Sequence, residues 1–154
     1  MKNTDAETTR RIFLATAGAG AAALALPRGA RAAALTPAEK ANVKVVNDFC
    51  ALFTAPIDWD RMATFLTADC IYRPTQTMDP ITGPEAIVGM LRGFAGNATA
   101  SEFEVVDTWA RGPVVVNDRI DRFTLPDQSM EIPVVGVFHM IDGKIAEWTD
   151  FTFE

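Results

Sequence analysis

Apolar residues recur at helical spacing between residues 36 and 96, and this pattern predicts three helices. The first begins at Thr36-Pro37-Ala38-Glu39, a capping box with proline at the first helical position, and ends before Pro56. Asp58 can cap a short second helix, and Thr82-Gly83-Pro84-Glu85 opens a third that ends by Gly96. Their inward residues are expected to be Val43, Val46, Cys50 and Phe53; Trp59, Met62 and Phe65 or Leu66; and Ile87, Met90, Leu91 and Phe94.

After residue 100 the pattern changes to alternation, which predicts strands over residues 103–109, 114–123, 130–140 and 144–153. The first has Phe103, Val105, Asp107 and Trp109 on one face. We expect residues 70–72 to form a further short strand, followed by a loop over residues 74–82. Helices followed by an antiparallel meander are typical of an α+β fold. We therefore expect three N-terminal helices packed on a curved, mainly antiparallel four-stranded sheet that forms a cone-shaped pocket.

The turn at Asp142-Gly143 decides which residues share a face with Asp150. A two-residue turn pairs Val135 with Asp150, whereas a three-residue loop with a left-handed glycine pairs Val134 with it. The second register gives the more apolar row, so we expect it to form the inner wall and His139 to point outward. That row is Ile132, Val134, Gly136, Phe138 and Met140.

The first 32 residues are typical of an export signal. Thr9-Arg10-Arg11-Ile12-Phe13-Leu14 leads into an apolar stretch over residues 12–26, shorter than the roughly 20 residues that a bilayer span needs. The arginine pair resembles the twin-arginine signal read by its export machinery, and Ala30-Arg31-Ala32 offers a cleavage site. An uncleaved hydrophobic helix is the alternative. We expect residues 1–32 to be removed and residues 33–154 to form one domain, periplasmic or extracellular in a bacterium.

Charge and composition exclude several classes of function. The leader holds five of the 14 basic and two of the 20 acidic residues, which leaves 9 and 18 and a net charge of −9. Nucleic acid is therefore not an expected partner, and no membrane is expected after processing. Cys50, Cys70 and His139 are too few for a four-ligand zinc site, so carboxylates are expected to carry the chemistry. The two cysteines could form a disulfide after export, but buried thiols are favoured.

Two aspartates and an arginine stand among apolar strand residues. Arg119 and Asp121 are two residues apart and project from the same face, and Asp150 follows Trp148 on the last strand. If they point inward, they form an Asp–Arg–Asp chain in an apolar cavity, where unequal surroundings keep one acid protonated and the other ionised. The alternative is a set of solvated cross-strand ion pairs.

Most of residues 38–153 resembles the limonene-1,2-epoxide hydrolase family. The Arg-x-Asp and Trp-x-Asp pairs are the specific part of the match, and many relatives with the same cone-shaped fold share the rest. The matching stretches are Asp69-Cys70-Ile71-Tyr72, Gly83-x-x-Ala86-Ile87, Asn117-Asp118-Arg119-Ile120-Asp121, Gly136-Val137-Phe138 and Asp142-Gly143-Lys144-Ile145-x-x-Trp148-x-Asp150-Phe151.

The resemblance implies a hydrolase that adds water to the epoxide of a lipophilic small molecule in one step, without cofactor or metal, and gives a vicinal diol. It implies that Asp121 protonates the epoxide oxygen, that Asp150 takes a proton from water and that Arg119 bridges them. Tyr72 is implied to help hold the water. The asparagine that the family has two positions later is Pro74 here, and candidates to replace it are Asn117, Thr75 and Gln76.

The expected substrate-binding residues are Trp148, Val134, Ile132, Phe138 and Asn117. Two other functions remain open. One is an isomerase or cyclase of the ketosteroid-isomerase or polyketide-cyclase type, which also works with an acid and a base in such a cone. The other is a non-catalytic exported binder of apolar ligands. Because the family usually forms dimers, the resemblance also implies a homodimer.

Overall fold

The computed structural model describes residues 34–153, which form three helices and six strands. The predicted export signal over residues 1–32 lies outside the described residues. Within the described part of the chain, no helix is long and apolar enough to cross a membrane. The elements are α1 Pro37–Ala51, α2 Trp59–Thr64, β1 Leu66–Arg73, β2 Ile81–Thr82, α3 Pro84–Ala95, β3 Ala100–Arg111, β4 Val114–Thr124, β5 Ser129–Ile141 and β6 Lys144–Thr152.

The strands form one mixed sheet in the order β2-β1-β6-β5-β4-β3. The α+β class and the antiparallel meander β3–β6 are confirmed, but the prediction of four strands is wrong. Strand β1, predicted only as residues 70–72, lies parallel to β6 and places Tyr72 opposite Trp148. The two-residue β2 pairs antiparallel with β1. A two-residue strand has no periodicity to detect, and a parallel partner distant in sequence leaves no local signal.

The predicted caps of the first two helices are confirmed. Thr36 Oγ1 accepts a hydrogen bond from Glu39 N at 3.2 Å, and Glu39 Oε2 accepts one from Thr36 N at 2.7 Å. Asp58 Oδ1 accepts from Arg61 N at 3.0 Å and caps α2. The N-cap residue of helix α3 is instead Gly83, which provides no side-chain cap. Helix α1 packs on β3 and β4, and α3 packs on β1 and β2. Their buried residues belong to one core that includes the rings of Phe49, Phe53, Phe138 and Trp148.

Strand β3 does not alternate along its whole length as predicted. Its register with β4 shifts between Val105 and Asp107, so the strand contains a bulge there. Phe103 and Val105 pack against the core, but Asp107 and Trp109 point outward, and Trp109 is 47% exposed. The extra residue of the bulge moves every later side chain to the opposite face.

A bulge also sets the register of the β5–β6 hairpin. The turn has two residues, Asp142 and Gly143, at φ 49° and 75°, and the predicted three-residue loop is therefore wrong. A register shift beside Met140 then brings Gly136, and not Val134, opposite Asp150. The predicted inner row, from Ile132 to Met140, is nevertheless confirmed. The bulge shifts the pairing of the two strands by one residue, so the same side chains face inward as with the longer loop. His139 accordingly lies on the outer face.

Candidate active site

Arg119 lies at the centre of a buried group of charged side chains on the inner face of the sheet. Its Nε and Nη2 donate to Asp121 Oδ1 and Oδ2 at 2.7 and 3.1 Å, and Nη2 also donates to Asp150 Oδ1 at 2.8 Å. Arg119 is fully buried, while Asp121 and Asp150 are 6% and 4% exposed. The three residues therefore form the inward-facing Asp–Arg–Asp chain, and the alternative of solvated ion pairs is wrong for them.

The two carboxylates have unequal hydrogen-bond partners. Besides Arg119, Asp150 accepts from Trp148 Nε1 at 2.7 Å on Oδ1 and from Tyr72 Oη at 3.1 Å on Oδ2. The parallel pairing of β1 with β6 stacks the Tyr72 and Trp148 rings at 3.8 Å, which brings both donors to the same carboxylate. Asp121 accepts from the side chain of Arg119 alone. Asp150 thus accepts three hydrogen bonds from three side chains, whereas Asp121 accepts two from one side chain.

Burial raises the pKa of Asp121 to about 6, although the adjacent Arg119 opposes the shift. Burial also raises the pKa of Asp150, against the effects of Arg119, Trp148 and Tyr72. One guanidinium and two ionised carboxylates carry a net charge of −1, so a single retained proton makes the buried group neutral. Hydrogen bonds to a carboxylate favour its ionised form, and Asp150 has more of them. These hydrogen bonds therefore favour Asp150 as the carboxylate that stays ionised.

A cavity of about 260 Å³ leads to these carboxylates. Its polar lining consists of Asp121, Asp150, Tyr72, Thr75 and Thr152. The rest of the wall is apolar and includes Met90, Leu91, Phe103, Phe123, Ile132 and Val134. Met78 and Phe94, also in the lining, are 49% and 45% exposed and so mark the opening. The volume lies near the lower limit of small-molecule sites, about 300 Å³, and suits a compact apolar ligand.

Of the five residues predicted to bind substrate, Ile132 and Val134 line the cavity. Trp148, Phe138 and Asn117 do not line it, and each is almost or completely buried behind its wall. This placement does not support direct substrate contact for those three. Trp148 donates to Asp150, and Asn117 Oδ1 accepts from Arg119 Nη1 at 3.1 Å.

The residues around Pro74 show which polar groups remain near the cavity. Pro74 is part of the lining, where it offers no side-chain donor or acceptor. The Gln76 amide is held by the backbone of Thr152, with Nε2 donating to its O and Oε1 accepting from its N, both at 3.1 Å. Of the three candidates to replace the family asparagine, only Thr75 lines the cavity. Thr152 lines it as well and was not predicted.

Sequence reasoning assigned no role at the site to three residues around the guanidinium. Cys50 Sγ accepts from Asn117 Nδ2 at 3.2 Å, and the Phe103 ring lies 4.7 Å from Arg119 Cζ. Gly136 lies beneath Arg119, where a Cβ would be 2.2 Å from Nη1. An isolated glycine in a strand often marks a close approach of this kind, so Gly136 carried a signal that could have been used.

The described chain offers neither a metal site nor a disulfide. Within residues 34–153, no three His, Cys, Asp or Glu side chains are grouped to hold a metal ion. Cys50 and Cys70 are free, buried thiols, in agreement with the favoured prediction, and burial raises the pKa of each to about 12.

The fold and the buried carboxylate pair define an α+β protein with a cone-like pocket. Residues 40–154 match the model of the limonene-1,2-epoxide hydrolase catalytic domain, so the chain belongs to the limonene-1,2-epoxide hydrolase (LEH) family. A search of curated proteins gave no significant match.

Several solved structures share the fold. An LEH-like epoxide hydrolase from M. tuberculosis is 24% identical, with a TM-score of 0.68 over 76% of this chain and 86% of that chain. A putative SnoaL-like polyketide cyclase from Shewanella putrefaciens CN-32 is 18% identical, with a TM-score of 0.64 over 77% and 91%. A hypothetical protein with a ketosteroid isomerase-like fold from Catenulispora acidiphila DSM 44928 is 15% identical, with a TM-score of 0.62 over 70% and 84%. At these identities the likeness shows the fold alone.

Proposed function

We propose that this protein hydrolyses an epoxide of a lipophilic small molecule to a vicinal diol. The observation that carries the proposal is the Arg119 guanidinium, which joins two carboxylates of unequal surroundings at the wall of an apolar cavity. Membership of the limonene-1,2-epoxide hydrolase family supports the same chemistry. An uncharged epoxide suits this cavity, because desolvating it costs little compared with desolvating an ion.

In the proposed reaction, Asp121 donates its proton to the epoxide oxygen as the ring C–O bond breaks. Asp150 takes a proton from water as the water oxygen forms the new C–O bond. Both carboxyl groups therefore change protonation state in one step, and the proton returns from Asp150 to Asp121 after the diol forms. Arg119 keeps the pair in register because its Nη2 contacts both carboxylates. General acid and general base catalysis each contribute about 10²–10⁴-fold in rate.

Tyr72 is the proposed partner of the attacking water. Its Oη donates to Asp150 Oδ2, which leaves the oxygen lone pairs of the hydroxyl free to accept from a water molecule. The water would then lie beside the base that deprotonates it. Thr75 and Thr152 are further polar groups in the lining that could hydrogen-bond to it.

A panel of terpenoid, steroid and styrene-type epoxides, with detection of diols, tests the proposal on the mature protein. Asp121→Asn and Asp150→Asn keep the side-chain shape but remove the acid and the base. We expect each to lower kcat by at least about a hundredfold while the protein stays folded. The matched control is Asp118→Asn, on the exposed face of the same strand, which should keep wild-type activity. Full activity of either cavity variant would refute the assigned roles.

An isomerase or cyclase is the second candidate, favoured by the same three groups. Ketosteroid isomerases combine an aspartate base with a tyrosine and a protonated aspartic acid as donors. Here Asp150, Tyr72 and Asp121 provide that set within one hydrogen-bonded cluster. Turnover of enone or polyketide substrates with no diol from epoxides would favour this function. Tight ligand retention without any product would instead favour the exported binder.

We also propose that residues 1–32 direct export through the twin-arginine route. The arginine pair, the short apolar stretch and the small residues at 30–34 support this. Mass spectrometry of the protein recovered from its native compartment tests it. An N-terminus at residue 33 is expected, and an intact N-terminal segment in the cytoplasmic fraction would contradict it.

A further inference from the structure

We propose that Asn117 is a positioning residue for Arg119, held in place by Cys50 and accommodated by Gly136. Its kinetic consequences rest on the proposed function, whereas its effect on the Asp121 carboxyl does not. Asn117 is completely buried and absent from the cavity lining, so it acts through Arg119 and not on the substrate. Its Oδ1 accepts from Arg119 Nη1 at 3.1 Å, and its Nδ2 donates to Cys50 Sγ at 3.2 Å.

The hydrogen bonds of the guanidinium show why this contact matters. Nε donates to Asp121 and Nη2 donates to both Asp121 and Asp150, so Nη1 is the one nitrogen of Arg119 with no carboxylate partner. Asn117 provides that partner. Since only the amide oxygen can accept from Nη1, the amide NH₂ must face Cys50. The Cys50 sulfur accepts from that NH₂ group and so stabilises the orientation in which Asn117 holds Arg119.

Gly136 makes room for this arrangement. It lies opposite Asn117 on one neighbouring strand and opposite Asp150 on the other. A Cβ at this position would lie 2.2 Å from Arg119 Nη1 and 2.6 Å from Asn117 Oδ1, which real contacts do not allow. The guanidinium and the amide therefore share the space above a bare stretch of backbone. Their positions are set by sterics as well as by hydrogen bonds.

Loss of the Asn117 oxygen should disturb the carboxylate pair without touching the substrate. The buried Nη1 would lose its partner, and a buried donor of a charged group left unpaired is costly. Arg119 would then turn toward another acceptor and away from its two-point contact with Asp121. Since Arg119 lowers the pKa of Asp121, a weaker contact raises that pKa. Proton donation and the alignment of the two acids would change together.

Asn117→Leu tests the inference, because leucine has a similar size and no acceptor. We expect kcat on an epoxide to fall about tenfold to a hundredfold with KM nearly unchanged. The alkaline limit of kcat/KM should move to higher pH. In the absence of substrate, carbon-13 NMR of labelled aspartate should show a raised pKa for the Asp121 carboxyl. This titration remains informative if no epoxide is turned over, so failure of the proposed function can be told apart from failure of this inference.

The two buried cysteines provide matched variants in case Asn117→Leu does not fold. Cys50→Ala removes the sulfur that orients Asn117. It should raise the pKa of Asp121 and lower kcat, both by less than Asn117→Leu does. Cys50→Ser restores an acceptor and should recover most of the loss. Cys70→Ala removes an equally buried thiol that makes no side-chain hydrogen bond among the described residues, and it should change stability alone.

Three results would overturn the inference. One is an unchanged Asp121 titration and kcat in folded Asn117→Leu, which would leave Asn117 a purely structural role. Another is a raised KM with unchanged kcat, which would make Asn117 a substrate contact. The third is an equal effect of Cys50→Ala and Cys70→Ala on the titration.

Discussion

Replacing Gly136 by alanine tests whether the position of the Arg119 guanidinium sets the rate of the proposed reaction. The added methyl carbon would lie 2.2 Å from Arg119 Nη1, 2.6 Å from Asn117 Oδ1 and 2.8 Å from Phe138 Cε2. Favourable non-bonded contacts begin at roughly 3.5 Å, so the guanidinium has to retreat by about 1 Å. A displacement of about 1 Å in a catalytic group can cost about a hundredfold in rate.

We expect Gly136→Ala to lower the free energy of unfolding only modestly, although it lowers kcat strongly. Crowding a packed site costs about 1–3 kcal/mol, and replacing a strand glycine by alanine recovers about 0.5–1 kcal/mol of chain entropy. We therefore expect a folded protein with a modestly lower Tm, a kcat reduced about a hundredfold and a KM within about threefold of wild type.

Steady-state kinetics and thermal unfolding of Gly136→Ala and Gly89→Ala make the comparison. Gly89 lies in α3, and nothing is within 4 Å of a Cβ added there. Gly89→Ala should raise stability by about 0.5–1 kcal/mol, since alanine favours helix, and should keep full activity. Wild-type kcat in folded Gly136→Ala would show that Arg119 can move without consequence, and this would refute the reasoning.

Three further predictions concern the protonation of the carboxylate pair. First, kcat/KM should fall about tenfold per pH unit above pH 6, because Asp121 must be protonated and its pKa is about 6; a flat profile between pH 6 and 8 would contradict the assignment. Second, because the pKa of Asp121 is raised in the folded protein, protonation of this carboxyl stabilises the fold. The stabilisation is complete below pH 3.8, the ordinary pKa of an aspartate, and up to about 3 kcal/mol of it is lost as the pH rises through 6. Urea unfolding should show this dependence in the wild type and a weaker one in Asp121→Asn; equal pH dependence would contradict it. Third, Tyr72→Phe removes a donor that lowers the pKa of Asp150, so the acidic limit of kcat/KM should move to higher pH, with kcat down about tenfold. An unchanged acidic limit would exclude Tyr72 as a partner of the base.

Features set by local spacing could be predicted from the sequence. The Thr36 capping box and the inward stripe of α1 depend only on neighbouring residues, and both are confirmed. Arg119 and Asp121 share a face because they are two residues apart on a strand. That spacing could not say which face points inward, since the opposite face of β4 is also mixed. The resemblance to the family identified the inner face.

Features that depend on distant parts of the chain could not be predicted. The bulges beside Asp107 and Met140 each insert one residue into a strand. The residue pattern continues through both insertions, so the sequence gives no sign of them. The pairing of β1 with β6, which brings Tyr72 to Asp150, crosses most of the domain. Asn117 was expected to bind substrate. It instead lies behind the cavity wall, where it hydrogen-bonds to the Arg119 guanidinium and the Cys50 sulfur.

The central claim is that Asp121 and Asp150 add water directly to the epoxide. A single turnover in ¹⁸O-labelled water, with the protein in excess over substrate, tests this claim most directly. Direct addition places one ¹⁸O atom in every diol formed in that first turnover and none in the aspartates. Unlabelled diol, with ¹⁸O appearing in Asp121 or Asp150 instead, would show a covalent ester intermediate and contradict the account.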